Sequence, residues 1–301
     1  MSNLSSLTTE QRNDHTTKID SKSVLDILTI INKEDMTVAE SVQKVLPEIE
    51  KAVKLISKSL QNGGRLFYIG AGTSGRIGIL DAVECVPTFR TPPGLVQGII
   101  AGGTEAIINA AEGAEDDELE GEKDLKEKQL TSDDVVLGIA ASGRTPYVIG
   151  ALKYARKIGA KRISLASNED SLISKYSDVK IEVITGPEVL TGSTRMKAGT
   201  AHKIILNMIS TTTMIKAGKV YENLMVDLKA TNYKLKQRAN SMLSAIADVD
   251  EEESAHTLEV ANYEVKPAIL MLLCNVNYKE AKLHLERNNG LVRNAIHSLQ
   301  K

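Results

Sequence analysis

Residues 65–85 read RLFYIGAGTSGRIGILDAVEC, and the spacing Gly70-x-Gly72-x-x-Gly75 constrains the fold more than any other stretch of the chain. A short apolar run, LFYI, ends at glycines that open a helix-like segment, RIGILDAVECV. A glycine turn between a strand and a helix begins a βα unit and aims backbone N–H groups at an anion. Dinucleotide-binding folds use the same spacing, but they also need an acidic residue about 20 positions on, at the end of the second strand, for the ribose hydroxyls. Here the second strand, VQGIIAG, ends in small residues, and Glu105 comes late, where a helix opens. No Gly-Lys-Ser/Thr follows the glycines, so the loop is not a Walker loop either. It is expected to hold a different phosphate.

Thr73 and Ser74 sit inside the glycine loop, and a matching device follows the third strand, DVVLGIA. There ASGRTP offers Ser142, Gly143 and Thr145 at the mouth of another helix. Taken singly, each loop reads equally well as a tight turn with a Ser/Thr helix cap. Together, at the carboxyl ends of two strands, they surround one phosphate with neutral donors, and ligands of open parallel sheets bind at that edge.

The strands RISLAS and VKIEVI continue the alternation of strand and helix, which predicts a mostly parallel sheet covered on both faces. Before the glycine loop, Val38, Val42, Val45, Leu46, Ile49, Val53, Ile56 and Leu60 fall at steps of three and four, so residues 37–60 read as one amphipathic helix ended by NGG. Residues 112–128 carry nine acidic and three basic side chains, which suits a solvated helix. Helices dominate after 186, with long periodic segments at about 194–217 and 224–247. From 251 short helices alternate with polar breaks, so a boundary is expected near 248–253, at DVDEEE. The expected organisation is an N-terminal helical segment over 1–60, a sheet domain over 61–250 and a small helical subdomain over 251–301. The last faintly resembles a ubiquitin-associated fold.

A net charge of −2 gives no basic field for nucleic acid or an anionic membrane, and with no Trp and two Phe there is no base-stacking platform. No apolar run reaches the roughly 18 residues of a membrane helix. The first 23 residues are polar and lack the apolar segment of a signal peptide. Cys85 and Cys274 have no partners at zinc-ligand spacing. A reduced, cytoplasmic, metal-free protein is expected.

The paired GAGTSGR and SGRTPY loops resemble the sugar isomerase (SIS) domain, a sugar-phosphate-binding fold. The stretches GAGTSGRIGILDAVECVPTF, AGGTEAI, AAEGAEDD and VLTGSTRMKAGTAHKIILNMIST, with LTTEQRN near the start and INKED at 31–35, resemble the N-acetylmuramic acid 6-phosphate etherase family from about residue 7 to the end. The resemblance implies a three-layer α/β SIS-type fold acting as a homodimer without metal or cofactor. It implies cleavage of the D-lactyl ether at C3 of a sugar 6-phosphate, with D-lactate released. Where the family reads DASECPPTFG, this chain reads DAVECVPTFR, so Val83, Val86 and Arg90 replace a serine, a proline and a glycine beside a retained glutamate.

Elimination makes such an ether cleavable. In the open-chain sugar a base can take the C2 proton next to the aldehyde, an acid protonates the departing lactyl oxygen, and water adds back at C3. Two carboxyls held in different surroundings can serve. The resemblance places them at Glu84 and Glu115. From the residues alone, Glu84 reads more readily as a helix-end carboxylate facing water, and Glu115 as one of many surface acids, not distinguishable from Glu112 or Glu118. Gly72, Thr73, Ser74, Ser142, Gly143 and Thr145 are the expected phosphate-binding residues, with Ser193 and Lys197 as further substrate contacts. His202 reads as a packing residue and Cys85 as a small apolar one. A non-catalytic sugar-phosphate sensor, like the glucokinase regulatory protein, and an aldose–ketose isomerase of the same fold are the competing readings. Release of D-lactate separates all three.

Overall fold

The apolar runs pair, and they pair in parallel. The computed structural model describes residues 7–227 and 233–300. Its main sheet contains β1 (Leu66–Gly70), β2 (Val96–Ile100), β3 (Val135–Ile139), β4 (Lys161–Ala166) and β5 (Val179–Glu182), in the order β2-β1-β3-β4-β5. All four pairings are parallel, and the register sets Gly70 beside both Ile100 and Ile139. Every residue of β1 and β3 is buried, as strands covered on both faces require. Asp134 anchors their starts: its carboxylate accepts from the backbone N–H and guanidinium of Arg65 and from Thr131.

The sheet unit comprises the chain up to Cys85 and Pro92–Ser210. Its helices are α1 (Val24–Asp35), α2 (Val38–Lys44), α3 (Leu46–Gln61), α4 (Gly72–Phe89), α5 (Glu105–Ile108), α6 (Glu118–Glu127), α7 (Pro146–Ile158) and α8 (Lys197–Lys216), the ends of α4 and α8 lying beyond the unit. On one face, Phe67 and Ile69 pack with Val148, Leu152 and Leu125. On the other, α4 lies so close that a Cβ on Gly78 would be 2.9 Å from Tyr68 Cβ. The Tyr68 hydroxyl there donates to buried Asp81, which also accepts from Asn207 and Ser210.

The second unit is Val86–Thr91 with the chain from Thr211 onward. It holds the hairpin β6 (Val220–Tyr221) and β7 (Leu224–Met225), then α9 (Tyr233–Ala247), α10 (Glu251–Val260), α11 (Val265–Cys274), α12 (Tyr278–Arg287) and α13 (Val292–Leu299). Val226, Ala239 and Leu243 share one apolar cluster with Leu258, Ile269, Leu285 and Ile296. This helical unit therefore starts well before the expected boundary at 248–253, because α9 has its apolar partners in the helices that follow it. The N-terminal residues likewise belong to the sheet unit and do not form a separate segment.

Three local expectations also change. The helix expected over 37–60 is two, because Pro47 lacks the N–H needed to continue the first and opens the second. The helix expected from 224 is preceded by a two-residue strand there, and residues 228–232 of that span lie outside the described residues. The acidic helix begins at Glu118, where Asp117 caps it by accepting from Leu119 and Glu120 N–H, so 112–117 is loop with one turn at Ala114–Asp116. Among the described residues no helix is long and apolar enough to cross a membrane.

Candidate active site

In the order β2-β1-β3-β4-β5 the chain leaves β1 toward β2 on one side and resumes at β3 on the other. The carboxyl ends of β1 and β3 flank this topological switch point, where open parallel sheets bind ligands. Both hydroxyl-and-glycine loops leave from it.

The first loop turns on Gly72, whose φ of +52° is left-handed, and α4 starts at that residue. Gly75 has no room for a side chain: a Cβ would lie 2.6 Å from Ile100 Cγ1 and 2.7 Å from the Gly70 carbonyl. Thr73 and Ser74 stand half-buried in the first turn of α4, whose leading N–H groups lack intrahelical acceptors. The second loop turns on Gly143, with φ of +71° and its Cα against the Ser171 side chain. Arg144 N–H donates to Ser142 Oγ at 3.3 Å. Thr145 is the N-cap residue of α7, yet its hydroxyl makes no capping bond. The cap reading thus fails for Thr145.

A cavity of about 220 Å³ opens beside the first loop, lined by Ala71, Gly72, Arg76, Ala101, Glu112 and Glu115 among others. Glu115 rides on the turn Ala114–Asp116, after Gly113 with φ of +77°. Of the three carboxylates that spacing could not rank, Glu118 is spent on Lys153 at 2.5 Å, whereas Glu112 and Glu115 both line the cavity. Glu84 is exposed and does not line it. Twelve residues of α4 separate Glu84 from Gly72, which at about 1.5 Å each is roughly 18 Å along the helix axis. Its exposed neighbours Leu80 and Val83 are apolar. The two glutamates therefore do not share this cavity.

Ser193 lies in the turn leading to α8, its N–H donating to the Leu190 carbonyl. Lys197 is only 3% exposed, and its ammonium lies 2.7 Å from Glu34 Oε2. Burial works to raise the Glu34 pKa, but hydrogen bonds from Lys197, His15 and Asn13 outweigh it and leave the carboxyl lowered. Glu188 caps α8, accepting from Lys197 and Ala198 N–H. Lys197 is thus held by the N-terminal helix and does not offer a free cation. His202 is fully buried, with Nε2 3.1 Å from Ser167 Oγ, and burial lowers its pKa to about 4. Cys85 is pushed up to about 12 by burial, then by the charges of Asp81 and Glu84, so it is a thiol donating to the Asp81 carbonyl.

Sequence reading missed Arg76, Glu34 and Glu188. Arg76 stands next to the last glycine of the fingerprint, and Glu34 within INKED, so both were inside quoted segments. Nothing in their spacing shows that their partners lie 30 and 163 residues away.

Residues 48–156 match the glucokinase regulatory protein N-terminal SIS domain, and residues 114–211 match the SIS domain. The chain is 55% identical over 300 residues to N-acetylmuramic acid 6-phosphate etherase 1 of Bacillus licheniformis, covering 100% of this chain and 99% of the relative. It is 56% identical over 294 residues to N-acetylmuramic acid 6-phosphate etherase of Bacillus subtilis, covering 98% and 97%. Among solved structures, a protein of Bacteroides fragilis described as a phosphosugar isomerase involved in capsule formation aligns with a TM-score of 0.51 at 20% identity. That alignment covers 67% of this chain and 95% of the other, and it speaks for the fold alone.

Proposed function

The chain belongs to the N-acetylmuramic acid 6-phosphate etherase family, and from that premise we propose that it cleaves the D-lactyl ether of N-acetylmuramic acid 6-phosphate, giving N-acetylglucosamine 6-phosphate and D-lactate. The observation that carries the reading is the cavity that Gly72 and Glu115 share at the carboxyl ends of β1 and β2. Thr73, Ser74, Ser142, Gly143 and Thr145 surround the 6-phosphate from the two loops. Glu115 takes the C2 proton of the open-chain sugar. The C3–O bond then breaks as Glu84 protonates the lactyl oxygen, leaving a C2=C3 double bond. Glu84, now a carboxylate, activates the water whose oxygen adds at C3 while a proton returns to C2. No metal or redox cofactor enters the scheme.

Because Glu84 and Glu115 stand apart within one chain, the working site needs a second copy. We assign a homodimer in which the exposed surface around Leu80, Val83 and Glu84 of one chain faces the Glu115 cavity of the other. Both glutamates are solvent-exposed in the single chain, as groups waiting for an interface would be. A doubly charged sugar phosphate does not cross a lipid bilayer unaided, which supports a cytoplasmic site and a role in cell-wall sugar salvage.

The test is product analysis with purified protein in heavy-oxygen water. Elimination and re-addition place the label on C3 of the sugar, whereas displacement at the lactyl carbon places it in lactate. Ketose formation without lactate would assign an isomerase, and binding without turnover would assign a sensor.

A further inference from the structure

We propose that Arg76 is a positioning residue that ties the segment at 106–109, which leads into the Glu112–Glu115 loop, to the start of α4 and so sets Glu115 over the substrate; the inference rests on the role given to Glu115 above. Arg76 sits in the second turn of α4 and lines the cavity with Gly72 and Glu115. Its guanidinium donates to three backbone carbonyls: Nη2 to Ala106 at 2.8 Å and Asn109 at 3.0 Å, and Nε to Ile107 at 2.9 Å. These carbonyls end the single turn of α5, where a cation complements the partial negative charge of unpaired C=O groups.

Besides Arg76, the segment is held where Ala114 packs against the core cluster of Val148 and Leu152; the residues before it have less. From 105 to 117 only Ala106 is buried. The side chains facing inward are methyl groups: a Cβ on Gly102 would lie 2.9 Å from Ala111, 3.2 Å from Ala106 and 3.3 Å from Ala114. Alanine contacts bury little area, so the fork of Arg76 is the chief polar link between this loop and the helix that carries the phosphate-binding turn. The planar fork reaches these carbonyls from two nitrogens in fixed directions; a lysine ammonium has three donors but a single nitrogen from which to reach them.

The experiment compares Arg76→Met and Arg76→Lys with the full-length parent. Both variants should keep the sheet folded, with amide deuterium uptake unchanged in β1 and β3 and raised across 105–117. For both, kcat for lactate release should fall by about 10- to 100-fold with KM little changed, the signature of a displaced group and not of lost binding. Exchange of the C2 proton in deuterated water should fall in step with kcat. Unchanged uptake across 105–117 overturns the proposal. So does a raised KM with kcat preserved and rescue by lysine, which would make Arg76 a phosphate contact. Glu115→Gln, run alongside, separates the two layers. If it exchanges C2 at the parent rate, the role of Glu115 falls, while the amide uptake still decides whether Arg76 is the tether. If it loses exchange and Arg76→Met does not, Glu115 stands and Arg76 is excluded.

Discussion

Two stretches of helix α4 show how differently one element can present chemistry. At its start, Gly70 and Gly75 allow backbone to touch backbone, Gly72 takes a left-handed turn, and Arg76 donates to the carbonyls of Ala106, Ile107 and Asn109. Three turns further on, Glu84 is exposed, with Leu80 and Val83 exposed near it, and it does not line the cavity of Glu115. The first region is a site by virtue of its own fold. The second is an exposed carboxylate beside exposed apolar side chains. The assembly proposed above therefore has its test at Glu84, and the local fold has its test at the glycine loop.

The largest expected effect breaks the comparison at its chemistry. Glu84→Gln and Glu115→Gln should each lower lactate release by about 10²- to 10⁴-fold. In deuterated water Glu84→Gln should still exchange the C2 proton, and Glu115→Gln should not. The opposite pattern reverses the roles, and substantial release from both places the chemistry elsewhere. Mixing the two inactive variants tests the assembly. If each site joins Glu115 of one copy to Glu84 of the other, random re-pairing makes half the dimers mixed, each with one intact site, and about a quarter of parental activity returns. No recovery means that both carboxylates act within one chain.

Gly143→Ala probes the second loop. Its left-handed φ and the Ser171 side chain at its Cα leave a methyl no place, so the variant should lose roughly 1–3 kcal/mol in denaturant unfolding. A Gly103→Ala control, with φ of +69° and no neighbour near its Cβ, should lose less. Binding sharpens the contrast with a dinucleotide fold. N-acetylglucosamine 6-phosphate at 100 times its Kd should stabilise by about 2.7 kcal/mol, visible as a rise in Tm, and NAD should do nothing. A comparable rise with NAD would restore the dinucleotide reading.

The smallest effect concerns Glu34, which pairs with buried Lys197 from the N-terminal helix. Its carboxyl is held below the model-compound value of 4.5, so its contribution is full above that pH and is lost as the pH falls through the folded value. Stability measured from pH 6 to pH 3 should fall less steeply in Glu34→Gln than in the parent. Identical acid limbs would show that the pair with Lys197 adds nothing.

Much of the fold was legible because its signals are local. LFYI, DVVLGIA and RISLAS are buried strands whose apolar runs need no partner to be recognised. The four short helices after 251 fall where their polar breaks put them. Pro47 was equally local, and the unbroken apolar period across it concealed the break. The earlier start of the helical unit was not legible, since α9 is amphipathic and its periodicity does not say which apolar surface it will meet.

By itself the sequence determined the parallel sheet, the two glycine loops at its carboxyl edge and the family to which they belong. These depend on backbone conformation, on hydrophobic period and on long matching segments. Only the tertiary structure decided that Glu118 pairs with Lys153, that Lys197 is held by Glu34, that Arg76 donates to three carbonyls and that Glu84 lies outside the cavity that Glu115 lines. The physical reason is range. Turns and periods are written in neighbouring residues, whereas the partner of a charge is whichever group the fold carries to within about 3 Å of it, however distant in the chain.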